Sequence, residues 1–229
     1  MKKAVIIGGI VVVLLVAILA FAFLRTPEEA SEPIAAIPLS ETSGETSLGA
    51  EGLTVFQMST TDSEVRFQLD EDLRGNRLTV IGSTNQVAGE IALDFNDLTT
   101  VAVGVIQINA RTLATDNNMR NRAIQNQILD TGSYEYITFT PTAVNGLPDS
   151  ISVGESVSFT IDGELTIRDV ASPATLTVEA TAVSATQISG TATTVVTRET
   201  YGLTIPNVPN VANVEDEVEL YIDFVANAS

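Results

Sequence analysis

The 229-residue chain has no cysteine, no histidine and no tryptophan. Without cysteine there is no disulfide framework, no thiolate metal site, no cysteine nucleophile and no acylated N-terminal cysteine of the lipoprotein kind. Without histidine the usual general base near neutral pH and the commonest metal ligand are missing, and a Ser-His-Asp triad cannot be assembled. Positive charge is scarce too. Residues 53–229 hold no lysine and eight arginines against 23 Asp and Glu, a net −15 within a total of −18. So acidic a surface repels phosphate backbones and anionic headgroups, so no nucleic-acid partner is expected and no docking on lipid by overall charge.

The acids that are present do not converge. Asp70-Glu71-Asp72 and Glu215-Asp216-Glu217 are runs of neighbours, and adjacent residues of a strand point to opposite faces. Neither run has the alternating oxygen ligands and glycine of a calcium loop. No G-x-S-x-G occurs, and Gly8-Gly9 lies in an apolar run rather than a phosphate loop. Neither a catalytic nor a metal-ligating constellation is expected.

What the chain does have begins at its N-terminus. After Lys2 and Lys3, residues 4–24 form 21 uncharged positions. As a helix they span roughly 30 Å, the thickness of a hydrocarbon core. Their length favours a retained transmembrane signal-anchor, residues 1–25, over a secretory signal; Ala20-Phe21-Ala22 offers a cleavage site, in which case the domain is secreted. Lys2 and Lys3 stay inside under either reading, placing the remainder outside the cytoplasm. Residues 26–52, rich in Pro, Glu, Ser, Thr and Gly, predict a flexible acidic linker.

From Leu53 onward, strand patterns dominate. Val65/Phe67/Leu69, Leu78/Val80, Ile91/Leu93/Phe95, Ile106/Ile108 and Ile137/Phe139 alternate with polar residues, as do Val218/Leu220/Ile222/Phe224. The longest case is 156–183, where Val157, Phe159, Ile161, Leu165 and Ile167 face one way. There the pattern breaks at Ala171-Ser172-Pro173 and resumes through Leu176 and Val178. Nine or ten such strands predict an antiparallel sandwich or barrel in one domain, 53–229. Gly163, in mid-run, predicts a bend. Small inward residues such as Ala180 and Ala182 leave volume that either opposing side chains or a guest must fill. One segment, 115–129, opens with the cap-type residues Thr115, Asp116 and Asn117 and predicts a short helix lying over the sheet like a lid. Arg111, Arg120, Arg122, Arg168 and Arg198 either pair with neighbouring acids or hold a polar headgroup at a pocket mouth.

Six motifs in order along 53–227 resemble the YceI-like family. They are Val65-x-Phe67; Gly82 and Gly89 before Ile91 and Asp94; "INARTLATDNNMRNRAI" at 108–124; "SYEYITF" at 133–139; "GELTIRDVASPATL" at 163–176; and "TRETYGL" at 197–203 with the closing "DEVELYIDFVA". The chain departs from the family's pattern at Asp62-Ser63-Glu64, at Glu135 (where a proline often follows the tyrosine) and at Asp169. The resemblance implies an all-β fold, an antiparallel lipocalin-like barrel with a short helix over one end. It also implies a non-enzymatic function: binding, carrying or sequestering an isoprenoid-type lipid, such as a polyprenyl chain or quinone, inside the barrel. No cofactor beyond such a lipid is implied. The inward residues expected to hold it are Phe67, Val80, Ile91, Leu93, Ile106, Ile108, Phe139, Phe159, Leu165, Leu176, Leu220 and Ile222. The expected partners are the lipid itself and the membrane through the N-terminal helix. A filled barrel acting as an envelope protein-interaction module is the alternative, and a cavity of roughly 300 Å³ or more separates the two.

Overall fold

A computed structural model describes residues 25–39 and 52–229. The expected membrane span and residues 40–51 of the expected linker lie outside the described residues. The strands in chain order are β1 (Thr54–Met58), β2 (Glu64–Leu73), β3 (Asn76–Thr84), β4 (Val87–Ala88), β5 (Glu90–Asp94), β6 (Asp97–Val103), β7 (Ile106–Asn109) and β8 (Ala114–Thr115). Helix α1 (Asn118–Ala123) follows, continued by a π-turn over Ile124–Ile128. The remaining strands are β9 (Tyr136–Asn145), β10 (Ser156–Ile167), β11 (Val170–Ser184), β12 (Gln187–Thr197), β13 (Val211–Ala212) and β14 (Glu217–Ala228).

Each pairing is antiparallel, and the sheet curls until it meets itself. β9, β10, β11, β12 and β14 are consecutive neighbours, and β14 splits its length between β2 and β1. β3 and β4 are one run broken at Asn85-Gln86. The first part pairs with β2 and the second with β7, which pairs with β9. The wrap therefore passes through the break, and the architecture is the expected all-β lipocalin-like barrel with one short helix. Its inward face carries Phe56, Val87, Phe139 and Val178, which are among the most deeply buried side chains.

The long alternating stretch forms β10 and β11, paired residue for residue from Ser156↔Thr181 to Ile167↔Val170. The turn falls at Arg168-Asp169, earlier than the expected break at Ala171-Ser172-Pro173. Pro173 sits inside β11 opposite Glu164. It is tolerated there because β12 pairs with β11 only from Thr177 on, so at Pro173 β11 has β10 as its only neighbour. Gly163 marks a bulge against β9, as a mid-strand glycine predicts. Helix α1 starts where expected. The Asn117 side chain accepts from the backbone N–H groups of Met119 and Arg120, at 2.9 and 3.2 Å.

Residues 25–39 correct the expectation of a free linker for this part of the chain, because they lie along the barrel. Ser31 donates its backbone N–H and its hydroxyl to the two carboxylate oxygens of Glu135, at 2.8 and 2.7 Å. Arg111, whose side chain is only 10% exposed, pairs with Glu28 at 3.2 Å and with Glu135 at 3.0 Å, and donates to the Glu29 carbonyl. Asn126 donates to the Arg25 carbonyl at 2.7 Å. Further on, the Leu39 N–H meets Glu90 at 2.9 Å, and its side chain rests over Gly104. The segment is too polar to bury itself, but each of these polar groups finds a partner on the barrel domain.

Candidate functional site

Inward-facing residues of β2, β9, β10, β11, β12 and β14 surround a cavity of about 470 Å³. Its walls are almost wholly apolar: Val65, Phe67 and Leu69 from β2, Phe139 from β9, Leu165 and Ile167 from β10, Leu220 and Ile222 from β14. A second chamber of about 80 Å³ lies toward the other end, between Ile91, Leu93, Phe159, Val178 and Phe224 among others. Leu176, Ala192 and Ile222 line both chambers and form a waist between them.

The twelve residues expected to hold a ligand divide between these spaces. Phe67, Val80, Ile108, Phe139, Leu165, Leu176, Leu220 and Ile222 line the large chamber. Ile91, Leu93, Ile106 and Phe159 line the small one, together with Leu176 and Ile222. Strand alternation did not reveal the closing of the large chamber. The α1 segment contributes Met119, Arg120, Ala123, Ile124 and Ile128, and the loop after Tyr201 contributes Leu203, Ile205, Pro206, Val208 and Pro209. The loop's apolar residues have no strand or helix period, so composition was the one signal that could have singled them out.

Several charged groups in and around the wall have partners. Glu71, an inward residue of β2 with a side chain 8% exposed, pairs with Arg120 of α1 at 2.9 Å. Arg120 also reaches the exposed Asp116 at 2.6 Å. Burial pushes the Tyr201 phenol above its ordinary pKa against an opposing hydrogen bond with Ser172, keeping it neutral in the wall. Arg198 donates to the carbonyls of Leu203, Val214 and Glu215 and so pins the loop. Arg168 lies over the Tyr134 ring and reaches the Ile128 carbonyl. Arg111 holds residues 25–39, and Arg122 is exposed with no ion pair among the described residues. Among the described residues no group of His, Cys, Asp or Glu could hold a metal, and no helix is long and apolar enough to cross a membrane.

The solved structures similar to this chain have the same architecture. A polyisoprenoid-binding domain from Saccharophagus degradans, described as implicated in plant cell wall breakdown, is 15% identical with a TM-score of 0.63, covering 77% of this chain and 99% of that one. BcnA of Burkholderia cenocepacia is 18% identical with a TM-score of 0.57, covering 74% and 99%. A Campylobacter jejuni YceI protein is 17% identical with a TM-score of 0.54, covering 65% and 84%. At these identities the likeness is one of fold. No curated protein matches. The YceI-like domain profile matches residues 56–226, three quarters of the chain and the barrel from within β1 to within β14, and the chain therefore belongs to the YceI-like domain family.

Proposed function

We propose that the barrel binds and carries, or sequesters, an isoprenoid-type lipid outside the cytoplasmic membrane, to which residues 4–24 anchor it. The observation that carries this reading is the 470 Å³ apolar cavity, within the size range of small-molecule sites. A hydrocarbon chain entering it leaves water at roughly 25 cal/mol per Å² of apolar surface, before the costs of association. Nothing in the wall asks for a charged group deep inside, since Glu71 and Arg120 satisfy each other. The ligand therefore has a long neutral tail in the barrel and keeps any polar head at the open end. A similar structure described as a polyisoprenoid-binding domain favours an isoprenoid tail. Carriage rather than catalysis fits a chain without histidine or cysteine.

The test is mass spectrometry of an organic extract of the purified protein, with native mass of the intact complex, after exposure to membranes of its own organism. A discrete lipid at near one-to-one stoichiometry is expected. Protein that stays lipid-free after that exposure overturns the reading in favour of a protein-interaction module.

A further inference from the structure

We infer that residues 25–39 hold the open end of the barrel against the bilayer in which residues 4–24 sit, so that lipid passes between membrane and cavity without crossing water. This rests on the anchor and carrier readings above. Arg25 follows directly on Leu24, the last residue of the uncharged run. Its carbonyl is bound by Asn126, in the helical run that covers the large chamber. Asn126 lies seven residues beyond Met119, about 10 Å along a helix axis. From there the segment runs past Glu135 and Arg111 toward Glu90 and Gly104, away from the lid. Where the chain leaves the membrane, it is therefore already fastened beside the cavity mouth.

The surface presented at that end suits a bilayer. Met119, 61% exposed, is the most solvent-exposed large apolar side chain of the described barrel, and it lines the cavity rim. Across the opening stand Ile205, Pro206, Val208 and Pro209. Arg74 and Arg122, both exposed, carry no ion pair among the described residues, although the domain's acids outnumber its arginines almost threefold. Overall charge opposes adsorption from solution, so the docked segment is what brings this face to the lipid. It does so by raising the effective concentration of an otherwise weak contact.

The chain has no native cysteine, so single labels report its orientation. Met119→Cys and Val183→Cys, the latter near the end of β11 beside the small chamber, are each labelled with bimane in the full chain. The proteins are reconstituted into phosphatidylethanolamine and phosphatidylglycerol vesicles whose acyl chains carry bromine. The expected result is loss of fluorescence at position 119 and none at 183. The same label at 119 should recover its fluorescence when Glu28→Gln and Ser31→Pro are added, substitutions outside the barrel strands, with a cooperative thermal transition showing that the barrel of this variant is folded. Equal signals at 119 and 183, quenching at 183, unaltered quenching in the loosened variant, or failure of the full chain to enter vesicles would each overturn the placement. Position 119 reports orientation whether or not the cavity is filled. A cleaved, soluble barrel that carries a lipid would thus sink this inference and leave the carrier reading standing, and a membrane-facing but lipid-free barrel would do the reverse.

Discussion

The Phe139 ring lies across Gly163: a β-carbon at Gly163 would stand 2.5 Å from Cζ of Phe139 and 2.6 Å from the Thr140 carbonyl oxygen. No β-carbon tolerates either approach, and the second neighbour is backbone. The glycine therefore serves the bulge between β9 and β10 and gives a fully buried aromatic its place in the cavity wall. Gly163→Ala should destabilise the barrel by about 1–3 kcal/mol, the usual cost of overpacking. Urea unfolding checks it. Adding Phe139→Leu should recover only part of the loss, since trimming the ring leaves the carbonyl where it is. Full recovery would mean that the ring alone sets the constraint.

The Glu71–Arg120 pair makes an asymmetric prediction. With Glu71 removed, Arg120 retains Asp116 at 2.6 Å; with Arg120 removed, Glu71 keeps no partner among the described residues. Arg120→Leu should therefore cost more than Glu71→Leu, about 2–4 kcal/mol, below the top of the range for broken buried pairs because Arg120 keeps some contact with solvent. The double Leu variant should lie closer to the parent than Arg120→Leu does, since two apolar groups replace two desolvated charges. Thermal unfolding of the three variants decides the order.

How much of this was legible in the sequence depends on how far apart the interacting residues lie. The strands could be read because alternation is local, and Val65, Phe67 and Leu69 declare their face within five residues. The helix start could be read because Asn117 caps its own next turn. The attachment of residues 25–39 could not, because Ser31 finds Glu135 more than a hundred positions away and the segment's composition is that of a solvated tether. The turn at Arg168-Asp169 was hidden as well. A proline reads as a break, and only the late start of the β12 pairing shows why β11 can accommodate one. The apolar loop closing the cavity lacks a period, so its role follows from where Arg198 pins it.

Acid should release residues 25–39 before it unfolds the barrel. Burial raises the Glu135 pKa, but the two hydrogen bonds from Ser31, one from Asn109 and the charge of Arg111 outweigh it, leaving the group below its ordinary 4.5. Only the Ser31 bonds are lost when residues 25–39 leave, so the Glu135 pKa is lower docked than undocked, and this part of the docking stability is present at neutral pH and lost as the pH falls through the lowered value. Protection of the Ser31 amide against hydrogen exchange should accordingly be flat from neutral pH to about 5 and decline below 4.5. Glu135→Gln, which keeps one acceptor and loses the charge, should lower protection at neutral pH and remove its acid dependence. An unchanged acid profile in that variant would assign the titration to another group.

Ala192 offers the sharpest separation of a lipid carrier from a filled barrel. It lies on β12 at the waist, lines both chambers, and is only 5% exposed. Its methyl packs in the core but borders both chambers, so a ring extending into that volume should let Ala192→Phe fold with little penalty or a small gain, as cavity-filling substitutions commonly do. The same ring would occupy the space through which a tail passes from the large chamber toward the small one. Co-purifying lipid should fall sharply or shift to shorter chains, while the melting temperature holds or rises. If Ala192→Phe instead destabilised the domain by about 1–3 kcal/mol, as an overpacked core would, the waist would be a closed part of the packing. Retention of a full-length lipid by a stable Ala192→Phe variant would place the tail entirely in the large chamber, with its polar end at Met119 and the loop beyond Tyr201.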